Sequence, residues 1–154
     1  MRRLFFIPVL VAALDQWIKS RVRLLPSGLP FFRVPGLFEL TPSVNTGAAF
    51  SILRGNNWLL ILLSVLLLCF CVYIGKSMHL TRTAAIACLF LIGGGIGNLI
   101  DRILYGGVTD YIRLLFMDFP VFNFADAAIT CSVSVLILLL MTNRLEESAE
   151  EAHE

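Results

Sequence analysis

Four apolar runs punctuate this chain, at residues 4–22, 58–76, 83–101 and 122–142. Each is close to the roughly 20 residues a helix needs to cross the hydrocarbon of a bilayer, so the pattern predicts four spanning helices. The first run is the most broken, because Asp15, Gln16 and Lys19 interrupt its second half. Met1-Arg2-Arg3 followed by residues 4–14 also has the form of a cleavable signal peptide. Trp17, Ile18 and Val22 carry the apolar pattern past the acid, which favours a retained helix. Between the first two runs, Pro26, Pro30, Pro35 and Pro42 alternate with apolar residues such as Leu29, Phe31, Leu37, Phe38 and Leu40. Short strands broken by prolines fit that spacing better than a helix. The loop before the fourth run holds Ile112, Leu114, Leu115, Phe116, Met117 and Phe119. It is too apolar for a solvated linker, and is expected to lie in the membrane interface or to fold over a site as a lid. The acidic tail, 146–154, reads as a solvated end. The whole chain, 1–154, is expected to form one membrane-embedded domain.

Consecutive spans alternate in direction. The end of span one, the loop 23–57, the end of span three and the start of span four therefore share one side of the membrane. Nearly every unusual polar residue falls there: Asp15 and Lys19, Asn45, Asn98, Asp101 and Arg102, Asp110, and Asn123 with Asp126. A charge at the middle of a spanning helix costs roughly 2.5–3.5 kcal/mol on insertion scales; placement at the rim lessens that cost without removing it. Ordinary helix-end polarity accounts for any one of these residues but not for the set. The geometry is that of one functional face.

At 58% hydrophobic and 15% charged residues, the chain is far from the roughly 25% charge of a soluble domain. A net charge of +1 with scattered arginines offers no basic patch for nucleic acid. Arg2, Arg3, Lys76, Arg82 and Arg144 lie on the side of the termini, whereas Lys19, Arg21, Arg23, Arg33, Arg54, Arg102 and Arg113 lie on the functional side, so the positive-inside rule does not fix the orientation. Cys69, Cys71, Cys88 and Cys131 sit inside apolar runs without metal-type spacing, and His79 and His153 have no partner at ligand distance in sequence; no metal and no cofactor are expected.

Helical spacing aligns Asn98 with Asp101 and Arg102, Asn123 with Asp126, and Asp15 with Lys19. Asp101 and Arg102, as sequence neighbours, point differently, so pairing between them is not assured. Gly93 and Gly97 have the small-xxx-small spacing that lets helices approach closely. Two carboxylates converging on one water can share a proton, one acting as base toward the water and the other as acid toward a scissile carbonyl. Asp15, Asp101, Asp110 and Asp126 are the candidates. The pattern alone does not select the pair, although Asp110 and Asp126 are least committed to neighbouring basic residues. A proton-coupled carrier is the competing reading; the acids lie at one rim rather than the midplane, and the two halves of the chain do not visibly repeat. A scaffold using Asp and Arg as interhelical glue would leave Asp110 idle.

Asn45-Thr46-Gly47-Ala48-Ala49-Phe50, Gly94 through Asn98-Leu99-Ile100-Asp101-Arg102, Gly107-Val108-Thr109-Asp110 and Phe122-Asn123-Phe124-Ala125-Asp126 together resemble the lipoprotein signal peptidase (signal peptidase II) family, and Asp15 with Lys19 resembles the motif near the end of that family's first helix. The resemblance runs from span one to span four. It implies an aspartyl peptidase of the bacterial inner membrane, multi-pass, with both termini cytoplasmic and the active site at the periplasmic rim. The expected fold is an α-helical integral membrane protein with four transmembrane helices, a small periplasmic β-sheet around residues 29–40 and a periplasmic loop or lid. The implied activity is removal of the signal peptide from prolipoproteins before the diacylglyceryl-modified cysteine, so the expected partners are lipidated precursors and membrane lipid. A monomer is expected. Carried over by position, the catalytic pair is Asp110 and Asp126. Asn45, Asn98, Arg102 and Asn123 line the site, and Asp15, Lys19 and Asp101 support it. Thr109 stands where the family often has an apolar residue, Pro42 is expected to interrupt the strand leading to Asn45, and the Glu-rich tail is not a family feature.

Overall fold

The structure, a computed structural model, describes residues 4–47, 53 and 55–146. The basic start Met1-Arg2-Arg3, residues Ala48, Ala49 and Phe50 of the first motif, Arg54 and tail residues 147–154 lie outside the described residues. In chain order the elements are α1 (Phe6–Val22), β1 (Phe32–Val34), β2 (Phe38–Asn45), α2 (Asn57–Ser77), α3 (Arg82–Tyr105), β3 (Val108–Leu114) and α4 (Phe124–Met141). The helices coincide with the four apolar runs to within a few residues. Three of them, α2, α3 and α4, are long and apolar enough to cross a membrane. With 17 residues, α1 rises only about 25 Å against a hydrocarbon core of about 30 Å.

Polarity is inverted relative to a water-soluble protein. Helix α2 buries only Leu60 and turns Leu62, Leu63, Leu66, Leu67, Phe70 and Tyr73 outward, while α1 exposes Phe6, Val9, Leu10 and Trp17. The largest fully buried side chains are Lys19, Asn123, Asp15 and Asp101. Apolar surface of this extent suits lipid rather than water, and the polar groups withdrawn from both must satisfy one another.

Helix α3 packs against each of the other three, and its glycines make that possible. A Cβ at Gly93 would stand 2.7 Å from Val11 Cβ, and one at Gly97 2.5 Å from Asp15 Oδ2; at Gly94 it would meet Ala125 O at 2.7 Å, and at Gly95 Leu68 Cδ2 at 2.9 Å. Two glycines thus admit α1, one α4 and one α2. Gly97→Ala is expected to destabilise the protein by about 1–3 kcal/mol, because the obstructing carboxylate is held by Lys19 at 2.8 Å and has nowhere to go. Thermal unfolding in detergent checks this against Gly75→Ala, where a Cβ meets nothing within 4 Å; equal melting of the two variants would contradict the steric account.

The three strands form one antiparallel sheet in the order β1-β2-β3. The expected strands of the first loop are present, but the loop before α4 supplies a third, β3, which contacts both α1 and α3. On β2, Leu40 pairs with Ile112 and Ser43 with Asp110, so Thr41 and Pro42 together oppose Tyr111 alone. This is a β-bulge, a place where a residue without an N–H is tolerated. Pro42 therefore does not end the strand as the sequence pattern leads one to expect: β2 continues through it to Asn45. Its carbonyl accepts from Gly28 N at 2.8 Å and Ser27 Oγ at 3.2 Å. Helix α3 closes at Gly106, φ +74°, whose N–H donates to Arg102 O. That left-handed residue reverses the chain into β3 and returns Asp110 toward the end of the helix.

Candidate active site

The start of α4 organises the centre. Asn123 is its N-cap: its Oδ1 accepts from Asp126 N at 2.9 Å while Asp126 Oδ2 accepts from Asn123 N at 3.1 Å, a reciprocal capping box. With its oxygen so engaged, the Asn123 amide must point its Nδ2 inward. It donates to Asp110 Oδ1 at 2.7 Å and to Asn98 Oδ1 at 3.2 Å. Asn45, at the end of β2, donates its Nδ2 to Asp110 Oδ2 at 3.1 Å, its own oxygen accepting from Gly47 N at 3.0 Å. On α3, Asn98 donates Nδ2 to Asp126 Oδ1 at 2.7 Å. Arg102 donates to Gly47 O at 3.0 Å, and its Nη1 is buried without a partner among the described residues.

Asp110, Asp126, Asn45, Asn98 and Arg102 all line a cavity of about 460 Å³ whose other walls include Leu114, Phe119, Val121, Phe122 and Ile129. A second cavity of about 500 Å³ shares Asn45, Asp110 and residues 119–121, and adds Ser43, Thr46, Arg113 and Asp118. Asp110 thus stands in the partition between an apolar cavity and a polar one. Burial, and next the charge of Asp126, push its carboxyl up to about 7, against the hydrogen bonds from Asn123 and Asn45 and the charge of Lys19. Burial likewise raises the Tyr111 phenol to about 12, so it remains a neutral acceptor for Phe124 N at 3.2 Å.

The other two acids do a different job. Asp15 Oδ2 pairs with Lys19 Nζ at 2.8 Å, and its Oδ1 accepts from Ala125 N at 3.1 Å. Asp101 Oδ1 accepts from Arg23 Nη1 at 3.1 Å and Gln16 Nε2 at 2.9 Å, and its Oδ2 from Thr109 N at 2.8 Å. Each therefore grips the main chain one residue before a cavity-lining aspartate: Ala125 before Asp126, Thr109 before Asp110. Asp101 and Arg102 do point apart, as sequence adjacency suggests. All nine residues expected at the site converge on it, the network joining α1, α3, β2, β3 and α4.

Gln16, Arg23, Thr109 and Tyr111 belong to the assembly without having been expected there. Arg23 had a signal, since Asp15, Lys19 and Arg23 recur every four residues on one face of α1 and its continuation. Thr109 uses its hydroxyl to accept from Arg23 Nη1 at 3.1 Å. Among the described residues no group of three His, Cys, Asp or Glu is placed to hold a metal ion. Chemically, the arrangement offers two carboxylates on one cavity wall, one with its proton retained near neutrality, surrounded by fixed amide donors.

A family model described as Signal peptidase (SPase) II matches residues 7–142. Among similar proteins, the lipoprotein signal peptidase of Streptococcus pyogenes serotype M2 (strain MGAS10270) is 41% identical over 145 residues, covering 90% of this chain and 93% of the relative. That of serotype M5 (strain Manfredo) is 40% identical over the same shares. Two solved structures described as bacterial membrane enzymes are also similar. One has a TM-score of 0.87 at 29% identity, covering 97% of this chain and 95% of the other; the second has 0.82 at 31%, covering 91% and 93%.

Proposed function

This chain belongs to the signal peptidase II family, and from that premise we propose that it is an aspartic endopeptidase of a bacterial inner membrane. It removes the signal peptide of a prolipoprotein at the bond before the diacylglyceryl-modified cysteine, with Asp110 and Asp126 as the pair that activates water. The observation that carries this reading is the Asn123 junction: one residue donates to Asp110 and forms the capping box with Asp126, on the wall of one cavity. The charge of Asp126 acts on Asp110 and raises its carboxyl, and two carboxylates so coupled share a single proton.

The ionised partner takes a proton from water as the water oxygen bonds to the scissile carbonyl carbon, while the protonated partner gives its proton to the carbonyl oxygen. In the collapse the roles exchange. One hydroxyl proton passes to the now ionised carboxylate, the other carboxyl protonates the amide nitrogen, and the C–N bond breaks, restoring the starting state. Arg102 Nη1, without a partner among the described residues, receives a main-chain carbonyl of the substrate. The apolar cavity takes the end of the signal peptide, the polar one takes the segment after the cysteine, and the acyl chains stay in lipid, which does much of the positioning. Helix α1 serves as the fourth span despite its length, with Asp15, Lys19 and the sheet at the periplasmic rim. Residues 115–121 form the lid, and the enzyme works as a monomer.

The purified protein is expected to convert a lipidated precursor into a product whose first residue is the lipidated cysteine, read by intact mass, and to cut the unlipidated precursor far more slowly. Folded protein that leaves the lipidated precursor whole would overturn the reading. A pH dependence follows from Asp110. Its carboxyl, raised to about 7, is protonated below that value and ionised above it. Loss of the acid then makes kcat/KM fall by up to about tenfold per pH unit on the alkaline side. A profile that stays level well above neutrality would remove Asp110 from the acid role.

A further inference from the structure

We propose that Lys19 is a positioning residue that decides which carboxylate of the pair holds the proton, keeping Asp126 ionised through Asn98 and leaving the proton on Asp110. The inference rests on the peptidase reading above and goes beyond it. A lysine has donors only. Lys19 Nζ, fully buried, reaches Asn98 Oδ1 at 2.8 Å, which dictates the orientation of that amide and turns Nδ2 onto Asp126 Oδ1 at 2.7 Å. The donor on Asp126 is thus backed by a cation. The donors on Asp110, from Asn123 and Asn45, are backed only by neutral backbone N–H groups, those of Asp126 and Gly47. Asp126 also lies in the first turn of α4, where the helix dipole favours an anion.

The charge count agrees. Around the pair stand Asp15, Lys19 and Arg23 from α1 and its continuation, Asp101 and Arg102 from α3, Asp110 from β3 and Asp126 from α4. The neutral Tyr111 phenol lies beside them, and Arg113 and Asp118 face Asp110 across the polar cavity. The inner cations Lys19, Arg23 and Arg102 balance Asp15, Asp101 and one further carboxylate. Neutrality is reached when the fourth acid carries a proton, and Lys19 selects which one that is.

The test compares wild type with Lys19→Met, Lys19→Arg and the double variant Asp15→Asn/Lys19→Met, in which the ion pair is removed whole while residue 15 keeps an oxygen for Ala125 N. Cleavage of a lipidated precursor is followed across pH, with the folded fraction measured alongside. Without the cation, ionisation of Asp126 needs a higher pH. The acidic limb of kcat/KM is therefore expected to move up by about one pH unit, more than the alkaline limb, with KM little changed, and Lys19→Arg is expected to restore it. An active, folded neutral variant whose profile overlays the wild type overturns the proposal. So does loss of folded protein in both neutral variants, which assigns Lys19 to the scaffold alone. Absence of cleavage by the wild type would instead overturn the peptidase reading.

Discussion

Asp110→Asn and Asp126→Asn are each expected to leave a membrane-inserted protein that has lost cleavage of a lipidated precursor by about 10²–10⁴-fold or more, because either change removes one half of an acid–base pair. The two variants should differ in stability. In Asp126→Asn the half of the capping box made by residue 126 N and Asn123 Oδ1 is untouched, but the new NH₂ must face either Asn98 Nδ2 or the N-cap N–H. Asn98 cannot turn its oxygen to meet it, because Lys19 already holds that oxygen at 2.8 Å. A donor facing a donor costs about 1–3 kcal/mol. At position 110 one of the two amide donors, Asn45, belongs to the end of a strand beside the polar cavity, where adjustment is easier. Single-turnover cleavage read by mass spectrometry, paired with thermal unfolding in detergent, separates loss of chemistry from loss of fold. Retained processing by either folded variant would sink the assignment of that residue.

Asp101→Ala is expected to be the most destabilising single change at the site, by about 3–5 kcal/mol, as for removal of one partner from a buried ion pair. It strips an acceptor from Thr109 N, from Gln16 Nε2 and from Arg23 Nη1 together, and leaves Lys19, 3.8 Å away, with one carboxylate fewer. Asp101→Asn, which can still accept from Thr109 N, is expected to cost less. Activity in both variants should follow the folded fraction, because the residue holds β3 in place rather than touching water or substrate. Unfolding midpoints in detergent check the first claim. A well-folded Asp101→Asn with wild-type substrate affinity and no turnover would instead move Asp101 into the catalytic pair.

Much of this was legible from the chain because lipid is an unforgiving solvent. Apolar run lengths marked the helices, and alternation of spans put Asp15, Asn45, Asn98, Asp101, Asp110, Asn123 and Asp126 on one side without any coordinates. What the pattern could not supply was partnership. All four aspartates read alike along the chain, as acids at apolar edges. In the fold they divide by what reaches them: Asp15 and Asp101 meet the cations Lys19 and Arg23, whereas among the described residues Asp110 and Asp126 accept only from amides and line the cavity. Strand β3 was hidden for a related reason. Residues 108–114 are extended because β2, more than sixty positions earlier, pairs with them, and no local period announces a partner so remote. Gln16 and Arg23 read as interruption and flank until the contact with Asp101 gave them a role.

The bulge at Thr41 and Pro42 acts as a parity switch. Successive side chains of a strand point to opposite faces. Were the same residues paired in unbroken register, with Leu40 still opposite Ile112, Pro42 would come opposite Asp110. Val44 rather than Asn45 would then share the face of that carboxylate. The bulge instead brings Ser43 opposite Asp110 and Asn45 two positions on, on the same face and within 3.1 Å of the acid. Pairing along β2 thus sets the chemical character of the group that meets Asp110: an amide donor with the bulge, an isopropyl group without it.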